Sequence, residues 1–121
     1  MRSYEFEGLV REALQELPPE FLDRLENVDV LVQRWPSHQQ LEVEELEEGE
    51  TLFGLYEGIP LIDRDDYNMA LPDRITIFQG PIEEQCNTKK EMAQEVRQTV
   101  VHEVAHHFGI SDFELDEWGV S

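Results

Sequence analysis

Five residues near the carboxyl end of the chain have the types and the spacing of a metal site. They are His102, Glu103, His106, Gly109 and Asp112, which together read H-E-x-x-H-x-x-G-x-x-D. Residues four apart lie one above the other on an α-helix, so the two histidines can direct their imidazoles at one point. Two neutral imidazoles suit Zn²⁺, and a catalytic zinc takes three protein ligands and keeps a fourth position for water. The spacing therefore predicts a zinc site on a helix.

The third ligand of this predicted site is Asp112. Gly109 can adopt the left-handed conformation that ends a helix and turns the chain back, which would carry Asp112 toward the two histidines. Ser111 and Glu114 form the S-x-x-E pattern of a capping box, which predicts a short last helix with Asp112 in its first turn. The dipole of that helix favours the ionised carboxylate that a metal ligand must be.

Glu103 has a different predicted role. It lies about 100° round the helix from His102, too far to be a comfortable ligand but close enough to reach a water on the metal. Zinc lowers the pKa of such a water to about 7, and Glu103 would take its proton and deliver it to the departing amine. The sequence therefore predicts hydrolysis of an amide bond in a peptide or protein substrate. Tyr56 and Tyr67 are candidates for stabilising the oxyanion.

A long helix must hold these residues. Thr88 and Glu91 form a second capping box, which predicts that the helix begins there, and the pattern continues through residue 108. An apolar arc on this helix is expected to face the core: Ala93, Val96, Val100, Val101, Val104, Ala105 and Phe108. The ligand histidines lie on its flank, so we expect the site at the border between core and cleft. His107 points away from His106, and we expect it on the surface or in a second layer.

The rest of the chain predicts a small α+β fold. Apolar residues spaced by three and four predict a core-facing helix over residues 4–17, and a second short helix follows over residues 19–25. Alternating side chains predict strands over residues 28–33 and 74–78, and a Glu-Gly pair predicts a hairpin with arms 52–56 and 59–62. We expect one domain over residues 1–121, in which a mixed sheet of three to four strands packs against the long helix beside N-terminal helices.

Residues 74–78 are also the predicted rim of the cleft, because an unpaired strand edge can bind an extended peptide. Other features are expected to be structural. His38 is predicted to be a solvated loop residue, and residues 41–50, which include six glutamates, a loop or frayed helical turn. Cys86 is expected to be a buried or semi-buried thiol, not a metal ligand. Gly54 indicates a bulge, a close backbone approach or a packing gap.

The formal net charge of −19 at pH 7 limits the kinds of partner that the protein can be expected to bind. A surface with this field repels phosphate backbones and anionic membranes and attracts cationic peptides, so we expect neither nucleic acid nor membrane as a partner. The first residues are amphipathic and acidic, unlike a signal peptide, and no apolar run reaches membrane-spanning length. The chain has one cysteine, which is typical of a reduced, cytoplasmic protein. The sequence does not determine the oligomeric state.

Several segments of the chain resemble the small bacterial "minimal zincin" family of metallopeptidases. The segments are LPPEFLDRLENVDVLV, LFGLYEGIPL, LPDRITIFQGPIEEQC and TVVHEVAHHFGISDFELDE. The resemblance implies a stripped-down zincin fold and zinc bound by His102, His106 and Asp112, with Glu103 as the base. It implies much less about the substrate.

Two other classes of function stay open at this stage. Some small bacterial RNA-processing proteins carry H-x-x-x-H-x-x-G-x-x-H, which is close to the pattern here, but Glu103 and the acidic surface disfavour a metal-dependent ribonuclease. In the other class, zinc only ties the C-terminal turn to the helix of a non-catalytic binding module. A fourth protein ligand on the metal would favour that module, and an open position would favour the peptidase.

Overall fold

The computed structural model describes residues 1–22, 25, 28–44, 52–58 and 73–109, and the structural statements below concern these residues. In chain order the elements are α1 (Ser3–Gln15), α2 (Pro19–Leu22), β1 (Val28–Gln33), α3 (His38–Glu44), β2 (Gly54–Glu57), β3 (Asp73–Phe78), α4 (Gln79–Gln85) and α5 (Lys89–Phe108). The predicted α+β class, with a small mixed sheet, a long C-terminal helix and an N-terminal helix, is confirmed. The second hairpin arm, residues 59–62, and the last helix with Asp112 lie outside the described residues.

The three strands form one sheet in the order β1-β3-β2. β3 lies in the middle, because β1 pairs with it in parallel and β2 pairs with it antiparallel. Val28 of β1 lies opposite Asp73, and Tyr56 of β2 lies opposite Ile75. The prediction that residues 74–78 form an open rim is therefore wrong, since both edges of this strand are already paired. Among the described strands, β2 and β1 are the edges.

The main core lies between one face of the sheet and the helices α1 and α5. Its buried members are Phe6, Val10, Ala13, Leu17, Ile75, Ile77, Ile82, Val96, Val100 and Val104. Each large aliphatic or aromatic side chain that is fully buried contributes about 1.5–3 kcal/mol. The apolar stripe predicted for the first helix is thus confirmed as a core face. A smaller buried cluster consists of Leu52, Leu55 and Phe78. Leu55 and Phe78 alternate with the core-facing residues of β2 and β3, so they lie on the other face of the sheet.

Two helices differ from the sequence-based expectation. His38 is the first residue of α3 and not a loop residue, although it is exposed as predicted. Ser37 begins this helix with a reciprocal cap: its hydroxyl accepts from the Gln40 backbone N–H at 3.2 Å, and its own N–H donates to the Gln40 side chain at 2.8 Å. The S-x-x-Q pattern in the sequence was a sufficient signal for this cap.

α4 was not predicted, because the segment between β3 and α5 is short and lacks a periodic apolar stripe. Its start is tied to the end of β1 by the Gly80 N–H, which donates to the Arg34 carbonyl at 2.8 Å. Cys86 follows this helix and is partly buried, which confirms the expected semi-buried thiol. Burial raises the pKa of the Cys86 thiol, and the charges of Glu95 and Glu91 raise it further. The thiol is therefore kept protonated, unlike a metal ligand.

The long helix has the predicted bounds. The Thr88 hydroxyl accepts from the Glu91 backbone N–H at 3.1 Å, so the predicted cap at Thr88 is confirmed. The Glu91 carboxylate accepts from the Asn87 backbone N–H at 2.9 Å, one residue before the cap. Gly109 ends the helix in the left-handed conformation, with φ 75°, as its position after the apolar arc predicts. No helix of the described residues is long and apolar enough to cross a membrane.

The left-handed conformation of Gly109 leads to a stability prediction. Gly109→Ala should lower the free energy of unfolding by about 1–2 kcal/mol, because a Cβ is strained at this φ. Urea denaturation measures the difference. Gly8→Ala is the matched control, since Gly8 lies inside α1 and a Cβ added there would have its nearest neighbour atom 3.7 Å away, so alanine should stabilise by about 0.5–1 kcal/mol. Equal stability of the two variants would contradict the assignment of the helix end.

Candidate metal centre

The side chains of His102, Glu103 and His106 converge on one flank of α5. One nitrogen or oxygen atom of each lies within 4.8 Å of those of the others. The centroids of the two imidazole rings are 4.5 Å apart, with 63° between the ring planes. The structure therefore brings together the two histidines in the way that the spacing of four predicts. Asp112, the predicted third ligand, lies outside the described residues.

The three residues differ in burial. Both histidines are partly exposed, and the side chain of His106 is 37% exposed. The Glu103 side chain is 3% exposed, and its Oε1 lies 3.4 Å from Nδ1 of His106. A buried carboxylate is unfavourable without a polar partner, so this contact helps to hold it in place. The cluster thus presents two imidazoles to solvent with one carboxylate behind them.

These donors fit zinc better than a hard cation. Mg²⁺ and Ca²⁺ take oxygen ligands almost throughout, whereas the two converging imidazoles supply nitrogen, which suits Zn²⁺ and other transition ions. The imidazoles lie on the solvent side, where an ion can enter. Glu103 lies close enough to be a direct ligand as well as a base, and its burial behind the histidines favours the second role. The ligand set itself stays a prediction.

Gly54 explains how the carboxylate is enclosed. A Cβ on Gly54 would lie 2.6 Å from the Thr99 methyl carbon and 3.1 Å from Cγ of Glu103. Non-bonded contacts of a Cβ as short as 2.6 Å essentially do not occur in proteins. A residue other than glycine at position 54 would therefore keep β2 from approaching α5 this closely. Of the three sequence-based interpretations of Gly54, the close backbone approach is the one observed. The missing side chain lets the strand cover Glu103.

A second polar cluster lies behind the site. His107 is 1% exposed, so the surface position considered for it is wrong. Its Nδ1 lies 2.9 Å from Oδ2 of Asp73, and the same oxygen accepts a hydrogen bond from the Tyr56 hydroxyl at 2.8 Å. The Tyr56 hydroxyl, a candidate oxyanion donor from the sequence, thus takes part in a buried contact with β3. Tyr67 lies outside the described residues.

Sequence reasoning missed the role of Asp73. The residue follows a proline and precedes the alternating strand, which resembles an ordinary loop end. Its partners are 17 and 34 positions away, at Tyr56 and His107. The antiparallel pairing of β2 with β3 brings Tyr56 to Asp73, and the packing of α5 against these strands brings His107 there. The one sequence signal for this contact was that His106 is followed directly by a second histidine, His107, at the end of a helix.

Comparison with known proteins supports the zincin resemblance. The model of a family described as zincin-like metallopeptidase matches residues 25–120. A solved structure of a conserved hypothetical protein from Thermus thermophilus is similar, with 24% identity and a TM-score of 0.59. That similarity covers 89% of this chain and 94% of the other, and it concerns the fold alone. No curated protein matches the chain.

The close approach at Gly54 can be tested by a paired substitution. Gly54→Ala should displace β2 from α5 and lower the melting temperature, because the new methyl group would overlap the Thr99 methyl carbon at 2.6 Å. Thr99→Ser removes that methyl group and keeps the hydroxyl that donates to the Glu95 carbonyl at 2.8 Å. We expect the double variant to recover part of the lost stability in thermal unfolding.

The single Thr99→Ser variant is the control for the loss of the methyl group itself. If Gly54→Ala is as stable as the wild type, β2 does not approach the helix as closely as described. If Thr99→Ser gives no recovery, the overlap lies elsewhere.

Proposed function

This chain belongs to the zincin-like metallopeptidase family, and we propose that it is a zinc-dependent peptidase with Glu103 as the general base. The observation that carries the proposal is a buried carboxylate behind two partly exposed imidazoles whose centroids are 4.5 Å apart. A hydrolytic site of this kind needs two groups with different tasks, one to hold a metal and one to move a proton. Their different burial supports this division.

His102 and His106 would bind the zinc, with Asp112 as the third protein ligand. The ion would supply Lewis acidity, the chemistry that activates a water and a scissile carbonyl. Family membership and the chemistry of the donor set support zinc as the cofactor.

Glu103 would accept the proton of the attacking water and deliver it to the departing amine. Two features of the structure suit it for both transfers. Its carboxylate is held at 3.4 Å from the imidazole of His106, so it stays at the metal-binding flank. It is also covered by β2 at Gly54, which keeps bulk water away from the proton it carries.

We propose that the substrate is a peptide or protein segment bound in extended form along β2. Gly54 of this strand lies against Glu103, and β2 is an edge among the described strands. A strand edge offers backbone N–H and C=O groups to a peptide, and the direction of β2 would lead the peptide past the base. This assignment replaces the rim predicted at residues 74–78.

The charge of the protein favours cationic substrates. The chain has 28 acidic and nine basic residues, so a basic peptide would be attracted and a nucleic acid repelled. We also propose that the protein is cytoplasmic, because its one cysteine, held as the thiol, suits a reducing compartment.

The proposed attraction of basic peptides can be measured through KM. Because salt screens the attraction, the value of KM for a basic peptide should rise with ionic strength.

Substitutions at the site separate the two roles. Glu103→Gln should keep zinc and lower kcat by a factor of about 10²–10⁴, because the amide has no basic oxygen to take the proton. His102→Ala should lose both zinc and hydrolysis. Metal content and digestion of a mixed peptide library, followed by mass spectrometry with and without a chelator, measure both quantities. His38→Ala is the control, since the His38 side chain is 89% exposed on α3 and should change neither.

Each alternative gives a different result in the same experiment. Full activity of Glu103→Gln would refute the base assignment, and loss of zinc in that variant would make Glu103 a ligand. A wild-type protein that binds zinc tightly but cleaves no peptide would instead be a zinc-stabilised binding module.

A further inference from the structure

We propose that Asp73, His107 and Tyr56 form a positioning cluster that holds α5 in register with β2 and so fixes the directions of the two metal-binding histidines and of Glu103. The inference rests on the proposed function, because it takes His102 and His106 as metal ligands. None of the three cluster residues belongs to the metal-binding motif. They act through the helix.

The sequence HEVAHH contains two pairs spaced by four residues, side by side. His102 and His106 project from one stripe of α5, and Glu103 and His107 project from the next, about 100° away. The first pair is partly exposed, and the second pair is buried, at 2% and 1% exposure. The solvent-facing pair therefore cannot move without the buried pair.

The buried pair matches the spacing of β2. Glu103 lies against Gly54, and His107 lies beside Tyr56, with their ring centroids 5.7 Å apart. Four residues of helix rise about 6 Å, and two residues of strand advance about 6.8 Å, so contacts at both ends can be made at once. Sliding or rotating the helix would break both contacts together.

Asp73 fixes this register with directed contacts. One oxygen, Oδ2, lies 2.9 Å from Nδ1 of His107 and accepts the Tyr56 hydroxyl at 2.8 Å, so one atom joins β3, β2 and the last turn of α5. The carboxylate lies close against the Gly58 backbone, because a Cβ on Gly58 would lie 2.6 Å from its Cγ and Oδ1. Apolar packing tolerates small shifts, whereas a short contact to one oxygen does not.

A contribution to stability does not by itself explain why Asp73 and His107 are both buried. Asp73 is 5% exposed and His107 is 1% exposed. Removing a carboxylate and an imidazole from water is unfavourable, and replacing such groups by well-packed apolar residues is often neutral or stabilising. A role in fixing geometry accounts for the cluster, because preorganised ligands bind a metal more tightly than ligands that must be ordered first.

The test compares metal binding with fold stability in the full chain. Asp73→Asn and His107→Leu should weaken zinc binding by about tenfold, measured by competition with a chromophoric chelator, and should change the visible spectrum of the Co²⁺-loaded protein. His107→Asn should recover part of the affinity, since the amide N–H of asparagine can replace Nδ1 as a donor to Asp73. Tyr56→Phe keeps the ring and removes one hydrogen bond, so it should lower zinc affinity less. This milder variant keeps the test valid if the other variants fail to fold.

Ile82→Val is the matched control. Ile82 is fully buried in the main core, on α4, and is not a member of either polar cluster. It should lower the melting temperature of the metal-free protein and leave zinc affinity and the Co²⁺ spectrum unchanged.

Three results would overturn the inference. If the wild type takes up neither zinc nor Co²⁺, the proposed function fails and the positioning role with it. If the wild type binds zinc and the Asp73 and His107 variants bind it with unchanged affinity and spectrum, only the positioning role fails. If Ile82→Val lowers zinc affinity together with the melting temperature, to the same degree as the cluster variants do, the cluster contributes only to stability.

Discussion

The packing of α5 against the sheet is the constraint on which the candidate metal centre depends. The helix buries an apolar stripe that includes Val96, Val100 and Val104 in the main core. Once this stripe is fixed, the helical period fixes the direction of every other side chain on the same turns. The histidines are thereby placed on the flank that meets solvent, and Glu103 and His107 are placed against β2. One packed face thus orients three kinds of group.

Small and polar residues let the strand come close to this helix. Gly54 lacks the side chain that would collide with Thr99 and Glu103, and the hydroxyl of Tyr56, two residues later, donates a hydrogen bond to Asp73. The strand therefore covers the carboxylate at one point and joins a polar contact at the next. A sheet of three strands buries little apolar area. The ordered polar contacts of Asp73 therefore help to fix the position of β2 relative to α5, which apolar packing alone does not do.

The distribution of charge separates the site from the rest of the molecule. The surface carries a large excess of carboxylates, but Glu103 and Asp73 are buried, and each lies within 3.4 Å of a histidine ring nitrogen. Exposed acidic groups act together as a long-range field that salt screens. The buried ones act over single contacts at fixed distances. The same residue types thus act through a long-range field at the surface and through short contacts in the interior.

Features that depend on neighbours within about four positions could be predicted from the sequence. These are the Thr88 cap, the left-handed end at Gly109 and the convergence of His102 and His106, because a helix relates such residues by a fixed rise and turn. The core stripe of α1 followed from the same period.

The contacts that join distant segments follow from how the strands and α5 pack in three dimensions. The sequence predicted a strand at residues 74–78, close to the observed Asp73–Phe78, but not its central position in the sheet, because alternation shows which faces are buried and not which edges are paired. The contacts of Asp73 with Tyr56 and His107, and the approach of Gly54 to Glu103, link residues 17 to 49 positions apart. No local period encodes these distances, since they arise when the sheet order and the packing of α5 are set together.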